Sequence, residues 1–351
     1  MKRIINLSML IILVLGALSL ATPAAASMPQ HYTILVGSDN PSLGVSIMSY
    51  FPNVVRVHVG DTVTWVVKSH EIHTVTFLAG QEMPEMIIPA PDGMESPLQI
   101  NPLAFFTYAP PNGQYDGTTY VNSSIMSTDP GFVTKFSLTF THVGSFDFVC
   151  LVHGMMMSGT IKVVGPNTQI PSPSDVQTQA QTQLKGAWSK VPGILAKAHA
   201  QVVPPVKNQD GTYTRTIVMD YESGNFMVMG FFPKNTNARP GDTIVWQLSA
   251  TDTAPHTVTF YNGNPDQPLV IIAQGQNGPV ALVNPALLFP SQAVIDGIPL
   301  NNTDFFNSGF LMPGAQTSFS LKVGDVSGTL DFQCALHDTS GMTGSLIISS
   351  Q

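Results

Sequence analysis

Val55, Val57 and Val59 alternate with Arg56 and His58, a period of two that puts one strand face in a core and the other in water. Gly60-Asp61 supplies a turn, after which Thr62-Val63-Thr64-Trp65 resumes as a second strand. Much of the chain reads this way, as short β-forming runs ended by Gly, Pro and Asn clusters, down to the closing runs at 159–164 and 344–349. The succession predicts an all-β chain folded as antiparallel sandwiches. One stretch departs from it. Between Gly165-Pro166 and Pro204-Pro205, Val176, Ala180, Leu184 and Trp188 recur every four residues, which predicts an amphipathic helix over 174–201. It would be entered through a Ser cap, kinked or divided at Pro192, and packed on one or both of its neighbours.

The pattern also repeats. "VVRVHVGDTVTWV" at 54–66 is echoed by "ARPGDTIVWQL" at 238–248, and each is followed by the same pentapeptide, "HTVTF", at 73–77 and 256–260. A Cys then follows, 77 residues after that His in the first copy and 78 in the second, each preceded by Asp-Phe-x. A shared order over this distance reads as a tandem duplication. The expected organisation is one unit at 32–164, a linker with a helix at 165–205, and a second unit at 206–351.

At 351 residues the chain is long enough for two cores. Lys2 and Arg3 precede an apolar run from Ile4 to Leu20 and the small residues Ala24-Ala25-Ala26, the anatomy of an export signal over 1–26. The mature chain would then carry 12 basic and 22 acidic side chains and no transmembrane segment. So acidic a protein is a poor partner for nucleic acid. Export predicts a periplasmic or extracellular location.

Cys150 and Cys334 are the only cysteines. In an exported protein two cysteines suggest a disulfide. Here they hold equivalent places in separate repeats, and a bridge would leave the recurring "CLVHGMMM" and "CALHDTSGM" unexplained. One thiolate, two imidazoles and one thioether form instead the ligand set of a mononuclear blue copper centre, a combination that zinc does not favour.

Both halves resemble cupredoxin domains of the plastocyanin/azurin family, through "HTVTF" with "DFVCLVHGMMMSGTIKV" and "HTVTF" with "DFQCALHDTSGMTGSLII". The resemblance implies two tandem Greek-key β-sandwich domains and electron transfer through type 1 copper, two ions per chain. Carried over, the ligands of the second site are His256, Cys334, His337 and Met342, with the Cys-x2-His-x4-Met spacing of plastocyanin. The first site would use His73, Cys150 and His153, while Met155, Met156 and Met157 compete for the axial place. Aligning Met342-Thr-Gly344 with Met157-Ser-Gly159 favours Met157, in a loop one residue shorter than that of plastocyanin. Met155 and Met156 would form an apolar rim beside an exposed His153, or an adaptable surface for partners. Phe148 and Phe332, two residues before each Cys, share its strand side and would pack in the core while keeping water from the thiolate.

Copper enzymes built on the same fold need further histidines, one adjacent to the Cys and others in His-x-His pairs. Here Val149 and Leu151 flank Cys150, Gln333 and Ala335 flank Cys334, and no His-x-His occurs. The reading is therefore an electron carrier, not an enzyme, working with redox partner proteins. A multicopper oxidase or nitrite reductase-like enzyme and a copper carriage or storage protein are the alternatives. His70, whose counterpart is Thr253, reads as a surface residue and His58 as solvated. Both units insert a long Pro-, Gly- and Asn-rich segment after HTVTF, expected to pack Leu103, Phe105, Leu287 and Phe289 on the sandwich. Asn122-Ser-Ser124 and Asn301-Asn-Thr303 are glycosylation sequons.

Overall fold

The computed structural model describes residues 28–291 and 305–349. The expected export signal and the sequon at Asn301 lie outside the described residues. The fold is mostly β, 43% strand against 12% helix, as the alternating pattern required.

Residues 31–164 build two facing sheets. One contains Val45–Phe51, His31–Asn40, Thr62–Val67, Lys135–Phe140 and Gln114–Tyr115 in that order. The other contains Val54–His58, Gly154–Val164, Gly144–Cys150, Thr76–Phe77, Val121–Ser123 and Thr107–Tyr108. Beyond residue 205 the same arrangement returns, with Tyr213–Met219, Thr243–Leu248 and Ser318–Lys322 in one layer. Asn235–Ala238, Thr343–Ile348, Gly328–Gln333, Thr259–Phe260 and Phe306–Asn307 form the opposite layer.

The sheets are mixed, where the sequence pattern predicted antiparallel ones. His31–Asn40 runs parallel to Thr62–Val67, and Val54–His58 parallel to Gly154–Val164. The repeated Gly-Asp turn is the cause. It carries the chain from the layer of Val54–His58 to that of Thr62–Val67, so successive strands do not pair and each takes a parallel neighbour. Gly60 supplies the left-handed backbone of that turn, at φ +93°. Buried Asp61 accepts from the backbone N–H groups of Gln30 and His58; Asp242 does the same for Tyr213 and Arg239. These donors would otherwise be left unpaired.

Each sandwich closes around one tryptophan. Trp65 meets Phe148 and Phe77 edge-on at 5.2 and 5.7 Å; Trp246 meets Phe332 and Phe260 at 5.4 and 6.0 Å. Phe148 and Phe332 are thus core residues as expected, and each edge-on pair adds about 0.5–1.5 kcal/mol to the gain from burial.

The helix comes in two pieces, Pro173–Trp188 and Val191–His199, and Pro192 lies in the first turn of the second, where its missing N–H is no loss. The first begins earlier than the periodicity suggested, because Ser172 and Asp175 cap each other's backbone. Ala180, Ala187, Val191 and Ala198 pack with Leu35, Ile47, Phe226 and Phe232.

The halves are joined by more than the linker. Phe226–Val228 pairs antiparallel with Val45–Phe51, in the register Phe226 to Ile47 and Val228 to Val45, which extends the first sheet to seven strands. The two insertions share a sheet of their own: Val270–Gly275, Gly278–Val283, Leu98–Ile100 and Ile87–Pro89. Leu287 is fully buried and Phe105 packs against this cluster, but Leu103 and Phe289 are exposed, contrary to the sequence expectation. Leu103 lies within, and Phe289 just after, the short helices Pro102–Phe105 and Pro285–Leu288, whose Asn101 and Asn284 caps fix the backbone without help from those side chains.

Candidate metal centres

HTVTF explains its own recurrence residue by residue. His73 is fully buried. The Thr74 N–H points at the Cys150 sulfur, 3.3 Å away, while the Thr74 hydroxyl accepts from the Leu151 N–H at 2.8 Å and so holds the end of the Cys strand. Val75 donates its N–H to the Ser123 hydroxyl, Thr76 donates to Asn122, and Phe77 enters the core. In the second half Thr257, Val258, Thr259 and Phe260 repeat every contact, with Cys334, Ala335, Ser308 and Asn307 as partners. The Asn-Ser dipeptides at 122–123 and 307–308 were not read from sequence as part of this scaffold, the first being read only as a glycosylation sequon, although their repetition was a signal. Asn122 is fully buried and donates to the carbonyls of Ala104 and Phe106, so its sequon is not a free acceptor.

This scaffold brings together the side chains singled out by motif. His153 Nδ1 lies 3.4 Å from Cys150 Sγ and 3.3 Å from His73 Nδ1. In the second half His256 Nδ1 and His337 Nδ1 are 3.7 and 3.5 Å from Cys334 Sγ and 3.2 Å from each other. Both cysteines are free and buried. Met157 and Met342 are buried at the start of the returning strands, whereas Met155 and Met156 are 72% and 49% exposed. Burial thus separates Met157 from its neighbours.

The donors are electrostatically prepared for a cation. Burial alone would raise the Cys150 thiol, but His153 and His73 outweigh it and hold the thiol well below its usual range. Burial likewise opposes Cys334, and His337 and His256 bring it well down. Against burial, Cys150 and Glu71 push His153 up to about 10, and Cys334 and Glu71 raise His337. A thiolate against two imidazoles, closed off from water, fits a soft monovalent or borderline divalent ion.

His153 is not the exposed ligand expected from sequence. Its side chain is 5% exposed, because Glu71 covers it, with Glu71 Oε1 3.6 Å from His153 Nε2. The other oxygen of Glu71 lies 3.8 Å from His337 Nε2. Nothing in the repeat announced Glu71, whose counterpart two residues before His256 is Ala254. His70 lies at the surface as expected, its side chain 38% exposed, and pairs with Asp39 at 3.0 Å; His58 reaches the Thr168 carbonyl at 2.9 Å.

The two centres differ around their upstream histidines. Asp252 stands 3.3 Å from His256 Nε2, and Asp220 joins the two in one group whose potential ligand atoms lie within 4.8 Å of one another. Burial and the neighbouring Asp252 and Glu222, set against His256, raise the Asp220 carboxyl well above its usual range. At the same places in the first half are Ser69 and Gly37. A Cβ on Gly37 would stand 2.3 Å from His73 Nε2, so the close packing of that ring requires glycine. His73 Nε2 has no hydrogen-bond partner among the described residues.

Residues 40–164 match the family model of copper binding proteins, plastocyanin/azurin family. Among solved structures the chain is similar to oxidised plastocyanin from Dryopteris crassirhizoma, at 18% identity over 38% of this chain and 99% of that one, with a TM-score of 0.21. It is also similar to amicyanin from Paracoccus versutus, at 16% identity over 40% of this chain and 85% of that one, TM-score 0.22. A reduced Cu(I) form of an amicyanin mutant at pH 4 gives 21% identity over 41% of this chain and 92% of that one, TM-score 0.23. No curated protein matches the chain.

Proposed function

We propose that the chain, whose residues 40–164 match the plastocyanin/azurin family of copper-binding proteins, is an exported electron carrier with one type 1 copper in each half. His73, Cys150, His153 and Met157 would hold the first ion, and His256, Cys334, His337 and Met342 the second. When bound, copper supplies one-electron chemistry between its two oxidation states. The chain's own part is to exclude water, fix the imidazole Nδ1 atoms against the sulfur, and supply the Thr74 and Thr257 N–H groups to the thiolates. These donors limit how far each thiolate can delocalise its charge, a lever on potential.

The observation that carries the reading is the convergence, in both halves, of one buried sulfur and two ring nitrogens within 4.8 Å of one another. A carrier is favoured over an enzyme because no His adjoins either Cys and no His-x-His pair occurs. The redox partners are proteins, and exposed Met155 and Met156 offer them an adaptable apolar contact.

Copper titration of the purified protein, followed in the visible spectrum, tests this. An intense blue thiolate band saturating at two ions per chain is expected, and Cys334→Ser should remove about half of it. A colourless Cu(I) form that resists oxidation would instead show a carriage protein, and saturation at one ion would refute the second centre.

A further inference from the structure

Glu71 belongs to neither group of sulfur and nitrogen donors, yet it touches both. It leaves the end of Thr62–Val67 in a segment pinned at several points. The Lys68 N–H donates to the Val36 carbonyl, the Ser127 hydroxyl to the His70 carbonyl, and His73 exchanges two backbone bonds with Met126. The carboxylate is therefore held in place, 4% exposed, with one oxygen 3.6 Å from His153 Nε2 and the other 3.8 Å from His337 Nε2. The second half comes to meet it. On the loop between Cys334 and Met342, Thr339 donates to Asp129 at 2.9 Å, and Gly341 is pressed against the Pro41 carbonyl.

Resting on the copper reading above, we propose that Glu71 is a shared positioning residue for both metal centres. One carboxylate from the first half orients the loop histidine of each centre and balances its charge, so the two centres respond together to any change at this single side chain. An imidazole turned by a carboxylate on its distal nitrogen presents the other nitrogen, Nδ1, in fixed orientation and with raised basicity. A buried carboxylate needs paired charge. A copy of this glutamate for each centre is unnecessary because the halves dock with their loop histidines facing each other.

The test is Glu71→Gln in the full chain and in the Cys150→Ser and Cys334→Ser backgrounds, each of which leaves one complete centre. Copper(II) affinity is read from the thiolate band, and midpoint potential by spectroelectrochemistry. Removing the charge should lower copper(II) affinity by about 10–100-fold in both single-centre backgrounds. It should also raise both midpoint potentials, since the more positive oxidised state loses its counter-charge; a residue that merely filled space would leave the potentials unmoved. Near-UV circular dichroism of the apoprotein reports folding. Should the Gln variant not fold, Glu71→Asp, whose shorter reach withdraws the charge from both rings, must weaken both centres together. A change confined to one centre, or to neither, overturns the proposal while leaving two blue centres in the parent protein. A parent protein that takes up no copper overturns the proposal together with the copper reading.

Discussion

The docking of the halves can be challenged at one atom. Gly341 has φ +96°, and a Cβ there would stand 2.0 Å from the Pro41 carbonyl oxygen, 2.9 Å from its carbon and 3.3 Å from its Cα. Pro41 presents backbone, so no side chain can swing aside. Gly341→Ala therefore incurs two costs: about 1–2 kcal/mol for the left-handed conformation, and about 1–3 kcal/mol for the overlap. Gly80 separates them, because its φ is +81° and nothing lies within 4 Å of its virtual Cβ. Urea unfolding of the apoproteins, followed by Trp fluorescence, should show Gly80→Ala losing about 1–2 kcal/mol and Gly341→Ala about 2–5 kcal/mol. Copper binding at the second centre should weaken as well, since the displaced loop carries His337 and Met342. If the two alanine variants agree within about 0.5 kcal/mol, the usual scatter of independent sites, Gly341 does not press on Pro41 and the packing of the halves described above is wrong.

Three further outcomes are expected. Thr74→Val keeps the shape but leaves the buried Leu151 N–H without its acceptor, so the apoprotein should lose about 1–3 kcal/mol in thermal unfolding; Thr257→Val should match it through Ala335, and an unchanged melting temperature in both would refute the role given to these hydroxyls. Asp252→Asn should lower copper(II) affinity about 10–100-fold at the second centre, measured in the Cys150→Ser background. The same substitution in the Cys334→Ser background should leave the first centre unmoved, and equal losses would contradict the assignment. Protein made in a glycosylating host should carry no glycan at Asn122, because its amide is buried and already donates to two carbonyls; a glycopeptide found there by mass spectrometry would show that strand to open.

Local chemistry made much of this legible from the letters. A strand alternation such as Val55-Arg56-Val57 and a turn such as Gly60-Asp61 are written within a few residues, and the His, Cys and Met motifs announce soft-metal chemistry wherever they fall. What the sequence pattern left open was set by contacts between the halves. Parallel pairing follows from which layer the chain enters after Gly60-Asp61, and no residue in the strands records that. His153 is covered by Glu71, 82 positions earlier in the chain, so a local reading of CLVHGMMM left it exposed. The carboxylates around His256 escaped notice for a related reason. Asp220 follows Met219 at the end of its strand and meets Asp252 only through the fold, and comparing them with Gly37 and Ser69 requires the structural alignment of the halves.

The small sheet shared by the two insertions bears on whether either half can stand alone. Leu98–Ile100 and Gly278–Val283 each satisfy part of their backbone across the boundary, as do Val45–Phe51 and Phe226–Val228. Severing the chain in the helical connector and separating the fragments would bare four ladder edges at once, some as apolar as Val45 and Ile47. Bare apolar edges recruit other chains. Gene fragments cut at the apparent repeat boundary should accordingly yield sticky, self-associating products, and the practical unit for expression is the uncut pair.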